Sequence, residues 1–108
     1  MIKGEIWSIE LPSSDLSEQM GSRLSAIIAN VDADIVIVIP FTSNKQALRF
    51  KNTILIEPNL ENGLKQESIL LVFQLRAIDK NRIKNKIGIL DSNTINQVDL
   101  MIKEMLKI

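Results

Sequence analysis

Two β-branched runs, RLSAIIAN over residues 23–30 and DIVIVIPF over residues 34–41, are separated only by Val31, Asp32 and Ala33. A gap this short closes an antiparallel pair, because a parallel crossover needs a dozen or more residues. The chain is thereby committed to an antiparallel hairpin in its core. The second run carries Pro40 near its end and then presents Phe41, Thr42, Ser43 and Asn44. Strand ends are where a scaffold hands residues to solvent and to ligands. Thr42 therefore reads either as a turn former or as a residue that does chemistry.

Further strands are predicted on both sides of this hairpin. GEIWSIEL (4–11) alternates in part, with Ile6, Ser8 and Glu10 on one face and Glu5, Trp7, Ile9 and Leu11 on the other. NTILIE (52–57), SILLVFQL (68–75) and KIGIL (86–90) also read as strands, with a turn over PNLENG marked by Pro58 and Gly63. PSSDLSEQMGS (12–22) is rich in turn formers and long for a hairpin loop, and long loops in compact domains are often functional. From Asp91 the period changes. Ile95, Val98, Met101, Ile102, Met105 and Leu106 recur at helical spacing, and Asp91 or Ser92 is a natural N-cap. These signals predict one α+β domain over residues 1–108, with six or seven short strands in a strongly bent antiparallel sheet or partly open barrel. A C-terminal amphipathic helix would cover its open side.

Composition narrows the chemistry. The 108 residues contain no His and no Cys, which removes Ser/His/Asp and Cys/His catalysis and argues against a zinc site; no metal or cofactor is expected. Thirteen basic residues balance thirteen acidic ones, an argument against a strongly basic surface, but the balance is uneven along the chain. Residues 1–44 hold Lys3 and Arg23 against Glu5, Glu10, Asp15, Glu18, Asp32 and Asp34, so the positive excess lies further on. It is densest in RAIDKNRIKNK, where Arg76, Lys80, Arg82, Lys84 and Lys86 face only Asp79. That stretch reads as a lysine-protected edge strand or as a phosphate-contacting rim. The start has neither the basic region nor the apolar core of a signal peptide, and no run is long enough to span a membrane. A cytoplasmic location is expected, with no membrane partner.

In order, KGEIWSIEL, SEQMGSR followed by AIIAN, VIPFTSN, GLKQESILLVFQLRAIDKNRIKNKIG and the closing VDLMIKEML resemble the MazF/PemK/Kid family of toxin endoribonucleases nearly end to end. The stretch from Gly63 to Gly88 followed by the helix is the most specific part. The resemblance implies an SH3-like barrel with a terminal helix, working as a homodimer. It also implies the toxin half of a type II toxin–antitoxin pair, a metal-independent, sequence-specific RNase that cuts single-stranded RNA, commonly mRNA, and is bound by a cognate antitoxin protein. It carries the family's key arginine onto Arg23 and its key threonine onto Thr42, with Ser17, Glu18, Gln19, Ser43, Gln74 and Arg76 as substrate-binding candidates.

The chemistry of those residue types is consistent with such a reaction. Cutting RNA with its own 2′-hydroxyl requires removal of that proton, charge stabilisation on the phosphorane and a proton for the leaving 5′-oxygen. Arginine stays protonated and offers a planar fork of donors, so Arg23 is a transition-state clamp rather than a base. Thr42 can donate a hydrogen bond to a phosphate or leaving oxygen, and Glu18 can accept a proton or read a base edge. Each residue also has an ordinary reading: a surface charge for Arg23, a strand-end turn for Thr42, backbone or dimer contacts for Gln74 and Arg76. Trp7 reads as core packing rather than a base-stacking platform. Leu16 and Leu24 stand where the family generally has glycine and proline. They support one alternative, a catalytically silent or attenuated toxin; a second is a CcdB-like gyrase-poisoning binder on the same fold, against which the FTSN and SEQMGSR pieces favour the RNase group.

Overall fold

The computed structural model describes residues 1–10 and 22–108. In chain order these form β1 (Glu5–Glu10), β2 (Ser22–Asn30), β3 (Ile35–Thr42), a 3-10 turn over Lys45–Arg49, β4 (Thr53–Ile56) and β5 (Ser68–Leu71). A second 3-10 turn over Val72–Gln74, β6 (Arg76–Asp79), a third turn over Lys80–Arg82, β7 (Ile83–Ile89) and the helix α1 (Ser92–Leu106) follow. The strands pair antiparallel throughout. A seven-stranded, strongly bent antiparallel sheet with one C-terminal helix is thus the observed fold, as the sequence predicts.

The hairpin at its centre is β2–β3, with Ala26 opposite Ile39 and Ile27 opposite Val38. Its turn is closed by Asp32, whose Oδ1 accepts from the N–H groups of Asp34 (2.8 Å) and Ile35 (3.0 Å). β1 pairs along β2 and β7 along β1. A bulge between Ile27 and Ala29 and two irregularities in the β1–β7 ladder add bend to this layer.

The far edge of β3 is where the sheet turns a corner. The sequence predicts one unbroken strand over residues 68–75, and the structure corrects this. Leu70 pairs with Phe41 through β5, while Arg76 pairs with Val38 through β6. Three steps along β3, from Val38 to Phe41, are therefore matched by six steps from Leu70 to Arg76, and the surplus is extruded as the Val72–Gln74 turn. Val72 points into the core while Phe73 and Gln74 are pushed to the surface. The predicted last strand over 86–90 is likewise only the end of β7, which begins at Ile83. Residues 43–51, which carried no predicted element, contain the Lys45–Arg49 turn.

Strand alternation gives the sheet two buried faces. On one, Ile6, Ala26, Ile39, Phe41, Leu70 and Val72 form the main core with Val98 of α1. On the other, Ile9, Ile27, Val36, Val38 and Ile78 form a smaller cluster against which Trp7 and Ile83 pack. Trp7 is therefore a packing residue, its Nε1 donating to Glu5 Oε1 at 3.0 Å. The helix starts on Asp91, whose Oδ1 accepts from the Thr94 N–H at 2.7 Å. Its apolar face of Ile95, Val98, Met101, Ile102 and Met105 is used to cover the protein's own core. Among the described residues no helix is long and apolar enough to cross a membrane.

Candidate functional site

The corner at Val72–Gln74, the end of β3 and the Lys45–Arg49 turn enclose an open cleft of about 510 Å³. Arg23 of β2 and Pro40 and Thr42 of β3 form one wall, reached because alternation sends these residues to the same face as Ile27 and Val38. Asn44, Gln46, Arg49 and Phe50 form a second wall, and Phe73, Gln74 and Arg76 a third.

Thr42 both turns the chain and keeps a proton to offer. Its Oγ1 accepts from the Asn44 N–H at 3.2 Å, and Asn44 Oδ1 in turn accepts from the Gln46 N–H at 3.0 Å, capping the turn that follows. A hydroxyl has one proton and two lone pairs. The amide uses a lone pair and fixes the side chain, so the O–H remains a donor toward a group in the cleft.

Among the described residues, the charged groups lining the cleft are all of one sign. Three guanidinium groups, Arg23, Arg49 and Arg76, line it, and no carboxylate does among the described residues. Neither Arg49 nor Arg76 makes an ion pair among the described residues. Among the described residues, Glu10 and Asp79 line a second hollow of about 280 Å³ on the other side of Arg76. The first cleft is built to hold an anion with planar, multidentate donors.

Of the residues singled out from sequence, Arg23, Thr42, Gln74 and Arg76 come together in this cleft, although they lie on three different strands and a turn. Ser43 follows Thr42 and is exposed, but it is not part of the lining. Ser17, Glu18, Gln19 and Leu16 lie outside the described residues. Leu24 points into the main core, opposite Ser8 of β1, so its side chain has a packing role of its own.

The basic stretch after Leu75 is mostly structural. The Lys80 ammonium donates to the Asp32 carbonyl, Lys84 lies 3.7 Å from Glu10, and Lys86 lies 2.9 Å from Glu5. These contacts fasten the β2–β3 turn and the edge strand β7, leaving Arg76 as the cation of that stretch that enters the cleft. Arg49, Phe50 and Phe73 were missed from sequence. Arg49–Phe50 lies in a segment without periodicity, and Phe73 is hidden inside a continuous apolar run. A cation beside an aromatic in an unassigned polar loop is the one signal that pointed there.

The description "PemK-like, MazF-like toxin of type II toxin-antitoxin system" belongs to a family model that matches residues 2–106. The endoribonuclease MazF of Staphylococcus saprophyticus is 29% identical over 103 residues, covering 92% of this chain and 85% of its own. The endoribonuclease EndoA of Bacillus subtilis is 29% identical over 101 residues, covering 90% of this chain and 86% of its own. Among solved structures, an endoribonuclease in complex with its cognate antitoxin from a mycobacterial species superposes with a TM-score of 0.70 over 100% of this chain and 94% of that one. Its sequence identity is 12%, so the likeness is one of fold.

Proposed function

Because this chain belongs to the PemK-like, MazF-like toxin family of type II toxin–antitoxin systems, we propose that it is an endoribonuclease toxin whose cleft at Arg23 and Thr42 cuts single-stranded RNA without a metal ion. The observation that carries the site is the cleft itself, where Arg23, Arg49 and Arg76 gather around Thr42 with no lining carboxylate among the described residues.

In this reading the scissile phosphate lies between Arg23 and Thr42. The 2′-oxygen of the upstream nucleotide bonds to phosphorus, the P–O5′ bond breaks, and the products are a 2′,3′-cyclic phosphate and a 5′-hydroxyl. The Arg23 guanidinium stabilises the extra negative charge on the phosphorane, a role that suits a group that never gives up its proton. Thr42 donates its hydroxyl hydrogen bond toward the leaving 5′-oxygen, which gains its proton through water. Glu18 is the carboxylate that the sequence offers to accept the 2′-hydroxyl proton, and it lies outside the described residues. Gln74 and Arg76 hold the adjoining nucleotide. The gyrase-poisoning alternative is set aside because the matching family model is the PemK-like, MazF-like one.

Family membership also supports a cognate antitoxin protein as partner and a homodimer as the working form. Sedimentation at micromolar concentration should give a species of twice 12.2 kDa; a monomer alone would count against the dimer. The reaction is tested with a long unstructured RNA in EDTA, its fragments mapped by primer extension. Discrete cuts are expected, and a 2′-deoxy nucleotide at the cut position should block them. Ordinary cutting of the deoxy substrate would remove the mechanism, and no cutting at all would remove the activity.

A further inference from the structure

The chain has only four aromatic residues, three Phe and Trp7. Phe41 and Trp7 pack into the two buried clusters. The other two, Phe50 and Phe73, are 46% and 39% exposed and stand side by side on the cleft wall. Their ring centroids are 5.5 Å apart at an interplanar angle of 49°, and the Arg49 guanidinium lies over Phe50, 4.9 Å from the ring centroid.

This group is held by backbone bonds from two separate turns. The Phe50 N–H donates to Ala47 O at 3.1 Å, the Thr53 hydroxyl donates to Phe50 O at 3.1 Å, and the Phe73 N–H donates to Asn52 O at 3.3 Å. The last bond ties the Phe50 turn to the corner between β5 and β6. Asn52 accepts at φ 62°, a left-handed conformation that a side chain of its type tolerates. Two apolar rings are thus carried on tied backbone and left accessible beside three cations, an arrangement that serves an unpaired base better than it serves the protein's own core.

From this we infer that Arg49, Phe50 and Phe73 form a stacking platform for one unpaired base of the RNA next to the cut phosphate. The inference rests on the proposed RNase activity and adds to it a subsite. Stacking on rings is tolerant of base identity, because every base has a π-face, whereas the guanidinium supplies both a flat cation and a phosphate contact. The platform therefore fixes where a base sits, and leaves edge reading to the polar residues of the cleft.

The test uses RNA oligonucleotides spanning a mapped cut, each with one abasic nucleotide at a different position. With the parent protein, one abasic position near the cut should lower kcat/KM about tenfold, the scale of losing one stacked base. In Phe73→Ala and Phe50→Ala that position should lose its effect, with intact RNA cut about tenfold less well. Phe73→Tyr and Phe50→Tyr should behave like the parent, and Phe73→Leu should not. If the Ala variants keep the parent's abasic profile, or if Leu rescues as well as Tyr, the platform is overturned. Should the parent cut no RNA, the catalytic reading fails by itself. The platform is then judged on anisotropy binding of the same oligonucleotides, where an abasic profile that the Ala variants do not alter overturns it.

Discussion

Arg23 of β2 and Thr42 of β3 each stand two residues beyond Ser25–Pro40, the last pair of the β2–β3 ladder, and both side chains line the same cleft. The two residues proposed to act on one phosphate therefore stand on adjacent strands, just past the end of the ladder that joins them. Arg23 pairs with Ile9 of β1 and Thr42 with Ile69 of β5, so each is fixed on a strand rather than in a loop.

Arg23→Ala should lower cleavage by about 100-fold or more, the usual scale for one strong transition-state donor. Thermal unfolding should remain cooperative, so that the loss of cleavage is read on folded protein. Arg23→Lys should recover only part of the rate, because an ammonium keeps the charge but lacks the planar fork. An alanine variant within a few-fold of the parent would remove Arg23 from the reaction.

Thr42 separates the roles of turn and donor. Thr42→Ser keeps an oxygen for the Asn44 N–H and a proton for the leaving group, and should retain most activity. Thr42→Val keeps the shape and loses both, so single-turnover cleavage should fall about 100-fold. The exposed amide can turn to water, so the stability cost should stay near or below about 1 kcal/mol. Equal rates for Ser and Val would make Thr42 a turn residue only.

Acid stability should trace to Glu5. Burial disfavours its charge, but hydrogen bonds from Lys86, Trp7 and the Ile2 N–H outweigh that, and its carboxyl is lowered from 4.5 to about 2. A carboxyl that is more acidic in the folded state stabilises the fold in full above its unfolded pKa and loses this as the pH falls through the folded one. The contribution should therefore be complete above about pH 4.5 and fade toward pH 2. Urea unfolding of parent and Glu5→Gln at pH 7 and pH 2.5 should show the parent's advantage shrinking at low pH. A constant difference would refute the assignment.

Ser25→Ala should stabilise the protein. Ser25 is fully buried and its Oγ has no hydrogen-bond partner among the described residues. An unpaired buried hydroxyl carries a desolvation cost of about 1 kcal/mol or more, and alanine removes it at little loss of volume. A drop in the urea midpoint would show that the hydroxyl is engaged in solution.

Gly88→Ala should be strongly destabilising. The turn over residues 59–63 crosses β7 here, with the Ile89 N–H donating to Glu61 O at 2.9 Å, and a Cβ on Gly88 would run into the backbone of Glu61 and Asn62. That turn cannot yield cheaply. Asn62 is buried, and its side chain accepts from the Asn59 and Leu64 N–H groups and donates to Glu57 O. A loss of about 3 kcal/mol or more is expected, the upper part of the overpacking range. A change below about 1 kcal/mol would mean that the crossing is looser than the geometry implies.

Local pattern carried much of this protein. β-branched runs and a short acidic turn specify the β2–β3 hairpin, and the change of period at Asp91 specifies α1, because alternation and helical spacing are properties of neighbouring residues. The order of fragments along the chain carried the family, and with it the proposal that Arg23 and Thr42 act on the phosphate. Tertiary structure decided where the run from Ser68 to Leu75 breaks. Leu70 and Val72 are both apolar and both buried, so nothing local marks Val72 as the corner. The break arises because β5 and β6 must share one edge of β3 in different registers, and the extra residues have to leave the sheet. That extrusion brings Phe73 and Gln74 to the cleft, where Arg49 and Phe50 arrive from a turn more than twenty positions earlier. A site assembled from such distant segments depends on ladder register and backbone ties between turns, and no window of sequence contains either.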